Sequence, residues 1–167
     1  MEVKVEVKLT KKEMFNFLLR HNYTTFGGIC GIVLSIGALV MFFLNLGNEK
    51  MSVSYKVALI AVALLFTVVQ PIMLYFKAAT QIKNSDAINK PMVYEFNKTG
   101  VTITQGEDSV TNKYEDITKV ISTKVSVIIY VSKYRAFIIP KASIGEDFET
   151  LKDLLVANVK ARTVTVK

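Results

Sequence analysis

The sequence predicts an α+β membrane protein, a two-helix transmembrane hairpin joined to one small antiparallel β domain. Three observations predict it. Two apolar runs, Thr24 to Leu46 and Val57 to Phe76, contain no Asp, Glu, Lys, Arg or His. At 23 and 20 residues, each would reach ~30–35 Å as a helix, enough to cross a bilayer core. After Phe76 the chain breaks into short strand-like segments separated by turn residues. A further strand-like alternation precedes the first run. A chain of 167 residues thus holds a hairpin and one small domain with its own core, not two.

Residues 1–22 read as a strand followed by a short amphipathic helix. Val3, Val5, Val7 and Leu9 alternate with Glu2, Lys4, Glu6 and Lys8, the period of a half-buried strand. A lone strand is unstable, and the only candidate sheet lies beyond the hairpin. Thr10-Lys11-Lys12-Glu13 reads as a capping box, with Thr at the N-cap and Glu reaching back from N3. The helix it opens carries Met14, Phe15, Phe17, Leu18 and Leu19 as apolar residues, with Lys11, Lys12 and Arg20 polar. Two settings suit it. It lies at the interface with its basic residues toward anionic headgroups, or Phe15 and Leu18 pack on the β domain.

Residues 23–77 form the hairpin. The first run begins only at residue 24, exceeds a signal h-region in length and lacks a small-x-small cleavage site, so it is expected to remain in the protein. Lys4, Lys8, Lys11, Lys12 and Arg20 precede it, and Lys77, Lys83 and Lys90 follow the second run. The intervening loop, Gly47 to Lys56, offers only Lys50 and Lys56. The positive-inside rule then places both termini in the cytoplasm. Gly27, Gly31 and Ser35 recur every four residues and would let another helix approach closely, either the second span through Ala58, Ala61 and Ala63 or a second copy. Gln70-Pro71 is the one polar, helix-bending feature, and Pro71 is expected to kink the cytoplasmic end. No ionisable residue lies at mid-depth, which argues against a monomeric channel or carrier. Cys30 alone can form no intramolecular disulfide, and His21 alone no histidine cluster.

Residues 78–91 read as a polar linker and residues 92–162 as the β domain. Met92–Phe96 and Val101–Gln105 flank Asn97-Lys98-Thr99-Gly100, a tight turn with Gly100 expected at positive φ. Val110–Glu115, Thr118–Thr123, Ser126–Val131 and Ala136–Pro140 complete six strands. Ser143 and Glu146 read as a second capping box, opening a helix with Phe148, Leu151, Leu155 and Val159 on one face. The tail 163–167 is strand-like in composition; it extends the helix, pairs with the sheet or is disordered.

One strand before the hairpin, six after it and a closing helix make about seven strands capped by a helix. That order is the one of a pleckstrin-homology-like (PH-like) antiparallel barrel. The layout resembles the YcxB-like proteins of bacteria, and the resemblance concentrates in three tracts: Tyr114-Glu115-Asp116-Ile117-Thr118-Lys119-Val120, Ile128-Ile129-Tyr130 and Ala136-Phe137-Ile138-Ile139-Pro140-Lys141. The family pattern has Trp where Tyr114 stands, so this chain keeps an aromatic there. The resemblance implies a bacterial cytoplasmic membrane location with a PH-like cytosolic domain.

Read on their own chemistry, Tyr114, Glu115, Asp116, Ile117, Pro140 and Lys141 are structural. Glu115-Asp116 form a turn between strands, and adjacent carboxylates in a solvated turn lack the cleft that general acid–base work needs. No phosphate loop, nucleophile with its base, Cys/His metal spacing or nucleotide fingerprint occurs, so no catalytic, metal or cofactor residue is assigned. Lys119, Lys124, Lys133, Arg135 and Lys141 are spread in sequence and read as solvated surface rather than a phosphoinositide pocket. The net charge of +7 suits anionic headgroups better than nucleic acid, since no Lys/Arg run with interleaved aromatics appears. The residues expected at the membrane surface are Lys11, Lys12, Arg20 and Lys77. The functional expectation is a non-enzymatic membrane protein whose cytosolic domain docks a protein partner or self-associates as a homodimer. The alternative is self-immunity against a membrane-active peptide toxin or bacteriocin.

Overall fold

A computed structural model describes residues 2–85, 88, 90–132, 135–160 and 164–165. The chain divides into two compact units, residues 15–80 and the remainder.

The first unit contains the hairpin. Helix α1 spans Lys11–Tyr23 and continues from the other unit; α2 spans Phe26–Leu44. The predicted capping box is present at the start of α1: Thr10 N donates to Glu13 Oε2 at 2.7 Å and Glu13 N to Thr10 Oγ1 at 3.4 Å. The second apolar run lies within one uninterrupted helical stretch of 32 residues, Val53–Asn84. It comprises α3 (Val53–Leu64), a π turn (Leu65–Val69) and α4 (Gln70–Asn84). Both helices are long and apolar enough to cross a membrane. Their large apolar side chains, among them Ile36, Phe43, Val57, Leu65 and Phe76, face outward rather than into a protein core.

Pro71 therefore disturbs the helix as a π turn rather than a break. Gln70 N donates to Leu65 O, five residues back. Continued in that register, residue 71 would donate to Phe66 O, and proline has no N–H. The stranded Phe66 carbonyl accepts instead from Tyr23 Oη at 2.6 Å. Thr67 Oγ1 donates to Ala63 O at 2.7 Å.

Among the described residues the second unit carries eight strands: β1 (Val3–Val7), β2 (Met92–Phe96), β3 (Gly100–Gln105), β4 (Asp108–Lys113), β5 (Lys119–Ser122), β6 (Ser126–Tyr130), β7 (Ala136–Pro140) and β8 (Val164–Thr165). They form two four-stranded sheets, ordered β1-β2-β3-β4 and β7-β6-β5-β8. Strand β1 pairs antiparallel with β2, Val3 opposite Phe96 and Val7 opposite Met92. Its Val3, Val5 and Val7 are buried while Lys4 reaches Glu95 at 2.7 Å on the outer face. Among the described residues no pairing joins β4 to β5 or β1 to β7, so the strands do not close the expected barrel. A 3-10 turn, Tyr114–Asp116, interrupts the chain between the two sheets. Of the tail, Val164 and Thr165 pair in parallel with β5, Val120 opposite Val164, supplying the eighth strand; residues 163, 166 and 167 lie outside the described residues.

Two helices follow β7: the single turn α5 (Lys141–Ile144) and α6 (Phe148–Asn158). The expected Ser143–Glu146 capping box does not form a helix start, because Gly145 turns the chain at φ 59° and α6 begins after it. The core gathers Val3, Val5, Val7, Tyr94, Phe96, Val101, Val120, Ile129, Ile139, Leu151 and Leu155. Tyr94 of β2 meets Phe137 of β7 edge to face, ring centroids 6.0 Å apart, tying the two sheets together.

Candidate functional site

In the hairpin, the buried small-residue stripe is Gly28, Gly31, Ser35 and Ala38. Alternating three- and four-residue steps hold one face of a 3.6-residue helix, whereas repeated steps of four drift around it. The expectation for Gly27 is thus corrected: it is exposed, with no atom within 4 Å of where a Cβ would stand. Gly31 and Ser35 do pack within the hairpin. A Cβ on Gly31 would collide with the Phe66 ring, and Ser35 Oγ donates to Val62 O at 3.3 Å. Of the three alanines expected opposite, only Ala63 is buried. Beside the π turn a cleft of about 540 Å³ is lined by Leu65, Val69, Gln70, Met73 and Lys77, among others. Gln70 Oε1 is buried there without a hydrogen-bond partner. Lys11, Lys12, Arg20 and Lys77 are all exposed.

In the β unit, the residues of the Tyr114 tract serve mainly as structure. Tyr114 is buried and its hydroxyl donates to Asn97 O at 2.7 Å, fastening the 3-10 turn to the β2–β3 turn. Burial raises its phenol above the ordinary value. Asp116 Oδ2 accepts from Lys113 N at 3.3 Å, Ile117 is buried, and Glu115 is exposed. Pro140 is buried at the end of β7. Lys141 N donates to Val125 O at 2.9 Å, and its Nζ stands 4.4 Å from the Phe148 ring centroid.

The β2–β3 turn is organised by one side chain. Asn97 Oδ1 accepts from Thr99 N at 2.9 Å, Thr99 Oγ1 at 2.7 Å and Gly100 N at 3.0 Å. Gly100 does not take positive φ as expected; its role is close approach, since a Cβ there would collide with Asn112 O. The positive φ belongs to Gly106, at 62°, in the β3–β4 turn.

Next to this turn lies a small polar cleft of about 180 Å³, lined by Lys98, Thr99, Lys113, Tyr114, Glu115, Asn158 and Lys160. Its three lysines come from the β2–β3 turn, the end of β4 and the chain just past α6. Sequence reasoning missed this grouping and considered Lys119, Lys124, Lys133, Arg135 and Lys141 instead, of which Lys133 lies outside the described residues. The register does carry a signal: Gly100 stands opposite Lys113, which brings Lys98 and Lys113 to one end of the sheet. Among the described residues, no group of three or more His, Cys, Asp or Glu is placed to hold a metal ion.

Residues 96–155 match the family model described as YcxB-like protein. The resemblance carried by the Tyr114, Ile128 and Ala136 tracts therefore holds over the greater part of the β unit. No curated protein and no solved structure was found to match the chain.

Proposed function

We propose that this chain, with its YcxB-like β unit, is a non-enzymatic integral membrane protein whose PH-like cytosolic domain docks a protein partner or a second copy of itself. The hairpin is the anchor. Its outward apolar side chains would be costly in water and are at home in lipid. Lys11, Lys12, Arg20 and Lys77 are exposed and suit contact with anionic headgroups.

The observation that carries the docking reading is the open edge of β4. This strand ends its sheet, and five of its six residues, Asp108 to Thr111 and Lys113, are exposed. Val110 on it is 55% exposed. An edge strand offers unpaired backbone groups to an added strand, with side-chain contacts giving selectivity. Crosslinking of the tagged protein in native membranes, followed by purification and mass spectrometry, tests this reading. The expected result is one reproducible partner, or a crosslinked homodimer, joined through 108–113 and lost in Val110→Lys. Recovery of the uncrosslinked chain with lipid alone would sink it.

A further inference from the structure

The geometry points to a phosphate-binding site formed by Lys98, Lys113 and Lys160 in the cleft beside Tyr114. Lys98, Lys113 and Lys160 all line a space of about 180 Å³, and among the described residues lining it Glu115 alone is acidic. None of the three lysines makes an ion pair among the described residues, so no carboxylate there neutralises them. Three unpaired like charges around one cleft repel each other, and an anion between them relieves that repulsion.

Charge and size select the occupant. Three cations against one carboxylate leave a surplus that matches a phosphate monoester dianion or a phosphodiester monoanion. The volume falls below the ~300–1,000 Å³ usual for whole cofactors and drug-sized ligands, so the cleft takes the phosphate group and not a bulky remainder. Hydrogen bonds hold the backbone where Lys98 and Lys113 attach. Asn97 Oδ1 holds the turn carrying Lys98, Tyr114 Oη clamps that turn through Asn97 O, and Asp116 holds the backbone N–H of Lys113. Long side chains on a fixed base can close on an anion at little backbone cost.

Both a lipid headgroup and a soluble phosphate supply this chemistry, and the experiment separates them. Full-length protein is placed in phosphatidylcholine nanodiscs at low salt and titrated with inorganic phosphate, followed by phosphorus NMR. In parallel, nanodiscs containing phosphatidic acid are compared with phosphatidylcholine alone by hydrogen exchange at residues 97–100 and 113–116. Charge-assisted contacts of this kind make K98Q/K113Q/K160Q bind roughly tenfold or more weakly. The arginine triple variant K98R/K113R/K160R retains binding, and K119Q/K124Q leaves it unchanged. Saturable binding of inorganic phosphate identifies a soluble ligand, and protection only with phosphatidic acid identifies a lipid. Absence of both in the wild-type protein overturns the site, as does equal binding by the glutamine triple variant. These exposed glutamine substitutions leave the core untouched, and an unchanged thermal midpoint confirms it.

Discussion

Tyr94 shows how burial of one polar atom becomes a measurable property. It is 1% exposed, and its hydroxyl donates to the Met92 sulfur at 3.7 Å, a weak acceptor for the phenol's proton. Burial pushes its pKa from 10.0 to about 12. The unfolded chain loses this proton near pH 10 while the folded chain keeps it, so the stability it supports is fully present below pH 10. That stability is then lost as pH rises toward 12, by about 2–3 kcal/mol in all. Phenolate absorbance should show a component titrating toward pH 12 that disappears in Tyr94→Phe, with a flatter alkaline stability curve in that variant. A Tyr94 that titrates with the exposed tyrosines would refute this. The alternation that put Val3, Val5 and Val7 in the core was legible in the sequence, because strand period alone sets the face. The reason for Gly100 was not. A positive-φ glycine and a close-approach glycine look identical in sequence, and only the pairing with β4 brings Asn112 against it. The lysine cluster was hidden for the same reason, since Lys98, Lys113 and Lys160 meet only after the sheet and α6 are assembled.

The π turn in the second long helix carries the same lesson at the level of an element. Pro71 announced an irregularity, but its form depends on who takes the freed carbonyl, and Tyr23 lies 43 residues away. In apolar surroundings an unpartnered carbonyl is costly, so the Tyr23 hydroxyl stabilises the π register specifically. Tyr23→Phe should therefore cost the hairpin about 1 kcal/mol, within the range of hydrogen bonds measured in membrane helices. In a Pro71→Ala background the restored N–H can serve Phe66 O, and the cost of Tyr23→Phe should largely vanish. A double-mutant cycle on reversible unfolding in mixed micelles measures that coupling. Additive costs would mean the two features are independent. Elsewhere, element boundaries were legible where a local hydrogen bond decides them, as in the Thr10–Glu13 box. They were misread at Ser143, where Gly145 reverses the backbone before a long helix can begin.

At the scale of the whole molecule, the hairpin could be read from two uncharged apolar runs and most of the strands from short strand-like segments between turns, whereas sheet closure could not. Whether β4 continues into β5 depends on the turn Tyr114–Asp116, which separates the two sheets, and local alternation says nothing of that. The pairing of β1 with β2 has the larger consequence. It draws residues on either side of the hairpin into one sheet through five successive register pairs from Val3–Phe96 to Val7–Met92. If α2 and the stretch Val53–Asn84 each cross a bilayer, an even number of crossings keeps both partners of that pairing on one side. Single cysteines in a Cys30→Ser background test this with a membrane-impermeant thiol reagent. Glu2→Cys and Glu107→Cys, both at exposed positions, should label only when the cytoplasmic face is open, and Lys50→Cys only from the opposite face. Labelling of Glu2→Cys and Glu107→Cys from opposite faces would be incompatible with the β1–β2 pairing. Labelling of all three from one face would instead mean that the hairpin does not cross. Each failure points to a different step: the first to the fold of the β unit, the second to the membrane as the solvent of the outward-facing apolar helices.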